Sequence, residues 1–232
     1  MRNAIILCSG GLDSVTTAYY IKDKYEKLKF LFFDYNQRAV KEEEFCCREI
    51  CKKLNGEFIK IELKWLGNIS MAMLNKNVEI KETSEKDLED SSKDLLNWWV
   101  PCRNSVFLIN ALAFAESEFL KNKERYDVII GLKDEGNEHF KDTTEKFVSK
   151  VNELAEEGTN DGGYEVIAPL IKMDKTEVVK LGVKLKVPFE LTYSCYIESD
   201  SKLIHCGKCL NCMLRKKGFY WAGVEDPSLY KS

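Results

Sequence analysis

The chain has 232 residues and a mass of 26.8 kDa, with 44% hydrophobic and 31% charged residues. That size and balance suit one domain of ordinary size with a sizeable core, and exclude a disordered or fibrous chain. Its 35 Lys and Arg against 38 Asp and Glu leave a formal charge of -3, so bulk charge points to neither nucleic acid nor an anionic membrane as partner.

No apolar run approaches the roughly 18 residues of a membrane span. The start, Met1 to Leu7, runs straight into Ser9-Gly10-Gly11 and lacks the longer apolar stretch and cleavage site of a signal peptide. The chain therefore reads as cytoplasmic. Its nine cysteines are then expected to be metal ligands or packing groups rather than a disulfide framework.

In chain order, Asn3–Leu7 reads as a buried strand ended by a Gly/Ser turn, and a helix follows from Val15 through Ala18 and Ile21. Phe30–Phe33 is a second buried strand with Asp34-Tyr35 at its carboxyl end. Val40 to Leu54 is a helix stopped near Asn55-Gly56. Glu57–Leu63 alternates like a strand with one wet face. Residues 75–97 read as a charged surface excursion, with the run Lys81–Lys93 as a solvated face. Ser105 to Leu120 is expected to be a helix, Asp127–Gly131 a strand, Thr144–Ala155 a helix, Val166–Ala168 a short strand and Lys175–Lys184 a last helix. Alternation of this kind predicts an α/β, doubly wound, mostly parallel sheet with helices on both faces. The ligand crevice should lie beyond the carboxyl ends of the strands.

Ser9-Gly10-Gly11-Leu12-Asp13-Ser14 sits at the first strand-to-helix turn. Two glycines allow close backbone approach to an anion, Ser9 and Ser14 offer hydroxyls, and the helix start offers unpaired N–H groups. No Gly-Lys-Ser/Thr follows, so it is not a Walker A loop. A carboxylate among phosphates is repulsive by itself, so Asp13 implies a bridging Mg²⁺. The loop resembles the SGGxDS loop of the PP-loop ATP pyrophosphatases, which activate substrates by adenylation. That resemblance implies that the nucleotide, ATP with Mg²⁺, is wrapped by Cys8, Ser9, Gly10, Gly11, Leu12, Asp13, Ser14, Val15, Thr16, Thr17 and Ala18, with Cys8 itself only packing.

Cys195, Cys206, Cys209 and Cys212 place four thiols in one short stretch, with Gly207 to free the knuckle. Four thiolates also hold iron–sulfur clusters. The expected occupant is one structural Zn²⁺ per chain, and His205 is not needed as a ligand. Cys46, Cys47 and Cys51 lie on a predicted helix without a compact ligand face and are expected to pack in the core. Trp65, Trp98 and Trp99 are likewise read as packing groups, and His139 as a loop residue in a divergent segment.

With these features in place, the sequence resembles the 7-cyano-7-deazaguanine synthase family over about residues 3–230. The segments that carry the likeness are Phe33-Asp34-Tyr35 with Gln37-Arg38, Val100-Pro101 with Arg103-Asn104, Ala168-Pro169-Leu170 with Lys175, Tyr193-Ser194-Cys195-Tyr196, and the carboxyl-terminal part from His205 to Tyr230. The resemblance implies a PP-loop domain at 1–190 and a zinc-binding segment at 191–232 packed on it. It implies an ATP-dependent carbon–nitrogen ligase that converts 7-carboxy-7-deazaguanine with ammonia through the amide to the nitrile, for queuosine or related deazapurine synthesis. Asp13, Ser14, Arg103 and Lys175 are the implied catalytic residues. A small-molecule deazapurine carboxylate, ATP and ammonia are the implied partners, with no nucleic acid and no membrane, and a homodimer is the implied assembly.

Several positions depart from the family pattern. Cys102 stands where a small residue is usual and is expected to fill space. Asn36 and Ala39 replace a Gly and a His, and the stretch from Lys133 through Gly136 to Phe140–Thr144 keeps Asp142 but loses the family's Pro, Cys and Arg. The altered positions fall near the ends of the second and fourth strands. They admit a second reading, in which the loop's chemistry is kept for another carboxylate or another amine. A PP-loop tRNA-modifying enzyme is a further alternative, disfavoured by the near-neutral charge.

Overall fold

The structure, a computed structural model, describes residues 2–79, 83, 95–133, 140–199 and 203–231. Strands β1 (Asn3–Leu7), β2 (Leu28–Asp34), β3 (Glu57–Glu62), β4 (Tyr126–Ile130) and β5 (Val166–Ile167) form one sheet in the order β3-β2-β1-β4-β5. Every pairing is parallel, with Ile6 opposite Phe30 and Leu7 opposite Ile130. The expected doubly wound sheet is present.

Parallel strands covered on both faces need apolar side chains at every position, and β1 and β4 are buried throughout. Successive residues serve opposite faces. Ile5, Leu7, Leu31, Phe33, Val128 and Ile130 meet helix α5 (Arg103–Asn122) and helix α6 (Glu145–Gly158) through Leu108, Ala111, Leu112 and Val151. Ala4, Ile6, Phe30, Phe32 and Ile129 meet α1 (Leu12–Ile21), α2 (Val40–Lys53) and α7 (Lys175–Lys184). The central strands carry apolar runs such as Ala4–Leu7 and Phe30–Phe33 for this reason, whereas β3 at the edge mixes exposed and half-buried residues.

The chain winds outward from β1 to β2 to β3, then crosses to β4 on the other side of β1. The strand order thus reverses at β1, and the carboxyl ends of β1 and β4 are where such sheets place their ligands.

Helix ends follow local chemistry. Thr144 caps α6 by accepting from the Phe147 N–H at 3.1 Å. Asp174 and Glu177 form a reciprocal capping box at the start of α7, at the bounds the sequence predicts. Short helices α3 (Lys64–Ile69) and α4 (Leu95–Trp98), helix α8 (Leu210–Ala222) and a small parallel pair, β6 (Ile204–His205) with β7 (Leu229–Tyr230), were not anticipated. Of the charged run Lys81–Lys93 only Thr83 is among the described residues, and Gly136 and His139 lie outside them. No helix among the described residues is long and apolar enough to cross a membrane.

Candidate active site and metal centre

The phosphate loop leaves β1 at its carboxyl end. Gly10 has φ +75, and a Cβ there would lie 2.5 Å from the Glu43 carbonyl oxygen and 2.8 Å from Cys46 Cβ. Only glycine allows both that backbone angle and that approach to α2. The loop is cross-braced from within: Ser14 Oγ donates to the Gly11 carbonyl at 3.0 Å, Gly11 N donates to Ser9 Oγ, and the two serine hydroxyls lie 3.2 Å apart.

Gly11 caps α1 without a side-chain bond, and the first intrahelical bond runs from Val15 N to Gly11 O. The N–H groups of Leu12, Asp13 and Ser14 have no acceptor among the described residues. They supply the partial positive charge that holds a phosphate at a helix start. Gly131, directly after β4, packs against the start of α1; a Cβ on it would lie 2.9 Å from Ser14 Cα.

Of the residues expected to wrap the nucleotide, Leu12, Val15, Thr16, Thr17 and Ala18 have their side chains buried, so they face the interior and only their backbone is on offer. Cys8 is buried too, its Sγ 3.9 Å from Ser14 Oγ, as a packing role requires.

Asp13 projects from the first turn of α1 to Lys175 at the first position of α7. Lys175 Nζ donates to both carboxylate oxygens, at 2.8 and 2.7 Å. Helix α8 makes room for the lysine stem with Gly218, where a Cβ would lie 2.6 Å from Lys175 Cγ. Two residues 162 apart in sequence thus form one charged unit beside the phosphate loop. The oxygen donors of Asp13 suit a hard divalent cation such as Mg²⁺.

Arg103 stands at the start of α5, half-buried, with Nε 3.4 Å from Asn104 Oδ1. Burial works against its charge, but Tyr35, Asp142 and Tyr196 nearby outweigh it and hold the guanidinium above its ordinary pKa. No described carboxylate forms an ion pair with it, so it is available to an anionic ligand. Close by, Gln37 is 3% exposed and fully engaged. Its Oε1 accepts from Tyr35 N at 2.9 Å, while Nε2 donates to Phe33 O at 3.0 Å and to Glu43 Oε2 at 2.9 Å. Burial pushes the Glu43 carboxyl up to about 7, against the pull of Gln37 and Arg103. The sequence reading missed Glu43, which is hidden in the run Lys41-Glu42-Glu43-Glu44.

The four cysteines converge as expected: the sulfurs of Cys195, Cys206, Cys209 and Cys212 all lie within 4.8 Å of one another. Metal–sulfur bonds of about 2.3 Å in a tetrahedron require sulfurs about 3.8 Å apart; Cys206 and Cys212 are at 3.9 Å. Backbone N–H groups of Cys206 and Cys209 point at Cys195 Sγ and Cys206 Sγ, each at 3.3 Å, which favours thiolates. Hydrogen bonds from Cys195, Cys209 and Cys212 pull the Cys206 thiol well below its ordinary range. The cluster fits a tetrahedral metal ion. His205 is outside it: Nε2 accepts from Ser194 N at 3.0 Å, and burial holds the ring neutral, with its pKa lowered to about 4.

One hydrogen bond ties the segment carrying Cys195 to the phosphate loop, and a buried arginine braces that segment. Tyr193 N donates to Gly10 O at 3.0 Å. Arg215, 1% exposed, donates to Thr192 Oγ1 at 2.7 Å, Ser194 Oγ at 3.1 Å and the Asp226 carboxylate at 3.0 Å.

The family profile described as "Queuosine biosynthesis protein QueC" matches residues 3–223. The chain belongs to the QueC family. A 7-cyano-7-deazaguanine synthase of Methanothermobacter thermautotrophicus is 37% identical, the match covering 98% of this chain and 99% of that one. One of Campylobacter jejuni is 33% identical over 100% and 99%. Among solved structures, a 4-thiouridine synthetase–RNA complex with bound ATP aligns with TM-score 0.51 at 17% identity, covering 96% of this chain and 50% of that one. The U34-tRNA thiolase NcsA from Methanococcus maripaludis aligns with TM-score 0.47 at 16% identity, over 81% and 57%. The chain thus spans little more than half the length of these two structures, and the first of them speaks for the fold alone.

Within the QueC family, three departures have structural reasons. Cys102 is exposed and caps α5 at φ 53. It does not fill space, contrary to the sequence expectation; the constraint is a left-handed backbone, which disfavours bulk. Asn36 also sits at φ 59, a conformation asparagine tolerates, and its amide donates to Asn68 Oδ1 at 2.8 Å. Ala39 is buried beside Cys46 and Tyr193. Cys46, Cys47 and Cys51 are buried as expected. Trp98 lies against Tyr196 with ring centroids 4.3 Å apart, and Trp99 stacks over Phe140, while Trp65 is half exposed.

Proposed function

We propose that the chain is an ATP-dependent 7-cyano-7-deazaguanine synthase, a carbon–nitrogen ligase acting on 7-carboxy-7-deazaguanine and ammonia. The observation that carries this reading is the Asp13–Lys175 pair beside the open N–H groups of the phosphate loop, with Arg103, which forms no ion pair among the described residues, at the start of α5. The names carried by its full-length relatives support the same substrate.

A carboxylate does not react with ammonia, because loss of oxide is prohibitive. The Ser9–Ser14 loop binds the phosphates of ATP, and its N–H groups gather the charge that develops as pyrophosphate leaves. Lys175 adds a cation at the same place. Arg103 draws the substrate carboxylate toward the α-phosphorus; attack gives an acyl adenylate, with AMP as the leaving group. Mg²⁺ held by Asp13 would neutralise phosphate charge. Ammonia displaces AMP to give the amide; a second ATP then adenylates the amide oxygen, which leaves in AMP as the nitrogen loses both protons, giving the nitrile. Positioning and charge neutralisation are the protein's main contributions.

Cys195, Cys206, Cys209 and Cys212 are taken as ligands of a structural zinc, which would brace Tyr193 against Gly10. The segment 191–232 is then an integral support of the 1–190 domain. A reducing, cytoplasmic setting suits the free thiols, and a homodimer is the expected assembly, to be tested by equilibrium sedimentation at micromolar concentration.

The deciding experiment supplies purified protein with ATP, Mg²⁺, ammonium and 7-carboxy-7-deazaguanine and identifies the deazapurine product by mass. Nitrile supports the reading. Product stopped at the amide, or no turnover with ATP still bound, favours the second reading, to which the altered stretch Lys133–Thr144 points.

A further inference from the structure

The first turn of α2 stands directly behind the phosphate loop, since a Cβ on Gly10 would lie 2.5 Å from the Glu43 carbonyl oxygen. From there the Glu43 side chain reaches the end of β2, where Gln37 holds one of its oxygens, Oε2, at 2.9 Å. Gln37 cannot swing away, because its other polar contacts are to the buried backbone of Phe33 and Tyr35. The second oxygen, Oε1, has no hydrogen-bond partner among the described residues, and the residue is only half-buried.

Among the described residues, the other carboxylates near the loop are engaged or enclosed. Asp13 gives both oxygens to Lys175, and Asp34 pairs with Lys60 at 3.0 Å. Glu42 accepts from Ser199 N at 3.0 Å with Oε1, and its Oε2 has no partner but is fully buried, closed to an incoming amine. Among the described residues, Asp142, next to Arg103, is the remaining rival.

We propose that Glu43 is the general base of the carbon–nitrogen bond-forming step, with ammonia or another small amine as the proton donor. This rests on the adenylation reading above. As the amine nitrogen bonds to the acyl carbon, one N–H bond breaks toward Glu43 Oε1. The carbon–oxygen bond to AMP then breaks, and the phosphate oxygen keeps the electron pair. Glu43 afterwards gives its proton to water. Without such an acceptor the adduct stays cationic, and its amine is a better leaving group than AMP.

The surroundings suit that task. Burial favours the neutral acid, Glu42 on the same turn acts in the same direction, and Gln37 and Arg103 oppose them, leaving the carboxyl near 7. Tyr35 and Cys46 are the other titratable groups facing it, both held neutral by burial. A base is most useful when its pKa lies near the working pH.

The test separates the two half-reactions in the full-length, metal-replete protein. Carboxylate-dependent ATP–pyrophosphate exchange without ammonium reports adenylation, and amide formation with ammonium reports the C–N step. E43Q should lose roughly 100-fold or more in amide formation and far less in exchange. The acid limb near pH 7 in kcat/KM for the amine should disappear, and E43D should recover part of the rate. Carboxyl ¹³C NMR, independent of turnover, should show a resonance titrating near 7 in the wild type and missing from E43Q.

Parallel loss of exchange and amide formation in E43Q would overturn the proposal, as would an unchanged acid limb or a limb abolished instead by D142N. A wild-type protein that binds ATP but gives no exchange with this carboxylate would overturn the adenylation reading itself, and the proposal with it.

Discussion

Lys175 Nζ contacts both oxygens of Asp13, at 2.8 and 2.7 Å, across a gap of 162 residues in sequence. The contact joins the start of α7 to the first turn of α1, so the ends of two helices share one charge pair beside the phosphate loop. An Asp already neutralised by a lysine does not repel phosphate.

Removing that cation should therefore damage adenylation rather than folding. K175M keeps the stem against Gly218 and is expected to lower carboxylate-dependent pyrophosphate exchange by about 100-fold or more, the scale of losing one charge-stabilising donor. Circular dichroism and the melting temperature should move little, since the pair is partly exposed to solvent.

Gly10 is the tightest point of the loop. G10A imposes a left-handed backbone on a residue with a Cβ, at a cost of about 1–2 kcal/mol, and drives that Cβ into Glu43 O and Cys46. Isothermal titration should show ATP affinity reduced at least tenfold. G223A, also at positive φ but with nothing within 4 Å of its Cβ, should lose stability only.

Arg215 and Asp226 form a buried ion pair with side chains 1% and 10% exposed. R215M leaves Asp226 buried without its countercharge and frees the Thr192–Ser194 turn. Breaking such a pair costs about 3–5 kcal/mol, which urea denaturation of the metal-loaded protein would measure. Chelation of the metal acts through the same turn: it should lower the melting temperature by roughly 10 °C or more, several kcal/mol at about 2–4 °C each, and weaken ATP binding through Tyr193.

Stability should also report on Glu43. Its carboxyl keeps a proton up to about 7 in the folded chain, against an ordinary value of 4.5. The folded state therefore binds more protons in that window, and stability is lost as pH rises from about 4.5 to 7. The contribution is at most about 3 kcal/mol. E43Q should flatten this slope in urea midpoints measured between pH 5 and pH 8; an identical slope in both proteins would contradict it.

Much of this was legible in the residues. Apolar runs such as Phe30–Phe33 and Val128–Ile130 announce buried parallel strands, and the loop and the thiol spacing each name their chemistry locally. Helix α8 was hidden because its start coincides with the Cys209–Cys212 knuckle and Gly218 lies in its interior, so packing overrides propensity there. Glu43 was hidden for a different reason. Lys41-Glu42-Glu43-Glu44 looks like a solvated face, and only the fold sends Glu44 outward to Lys60 and Arg48 while Glu43 turns in to Gln37. Cys102 looked like a space-filling residue and Asn36 like a change near the substrate, because a sequence does not display φ.

The most direct test of the central claim, that ATP activates a deazapurine carboxylate by adenylation, uses 7-carboxy-7-deazaguanine labelled with ¹⁸O in its carboxylate. Mass analysis of the nucleotide after a single turnover with ammonium should find one ¹⁸O in AMP, carried over when ammonia displaces the adenylate. Unlabelled AMP, or ADP with the label in inorganic phosphate, would contradict the account.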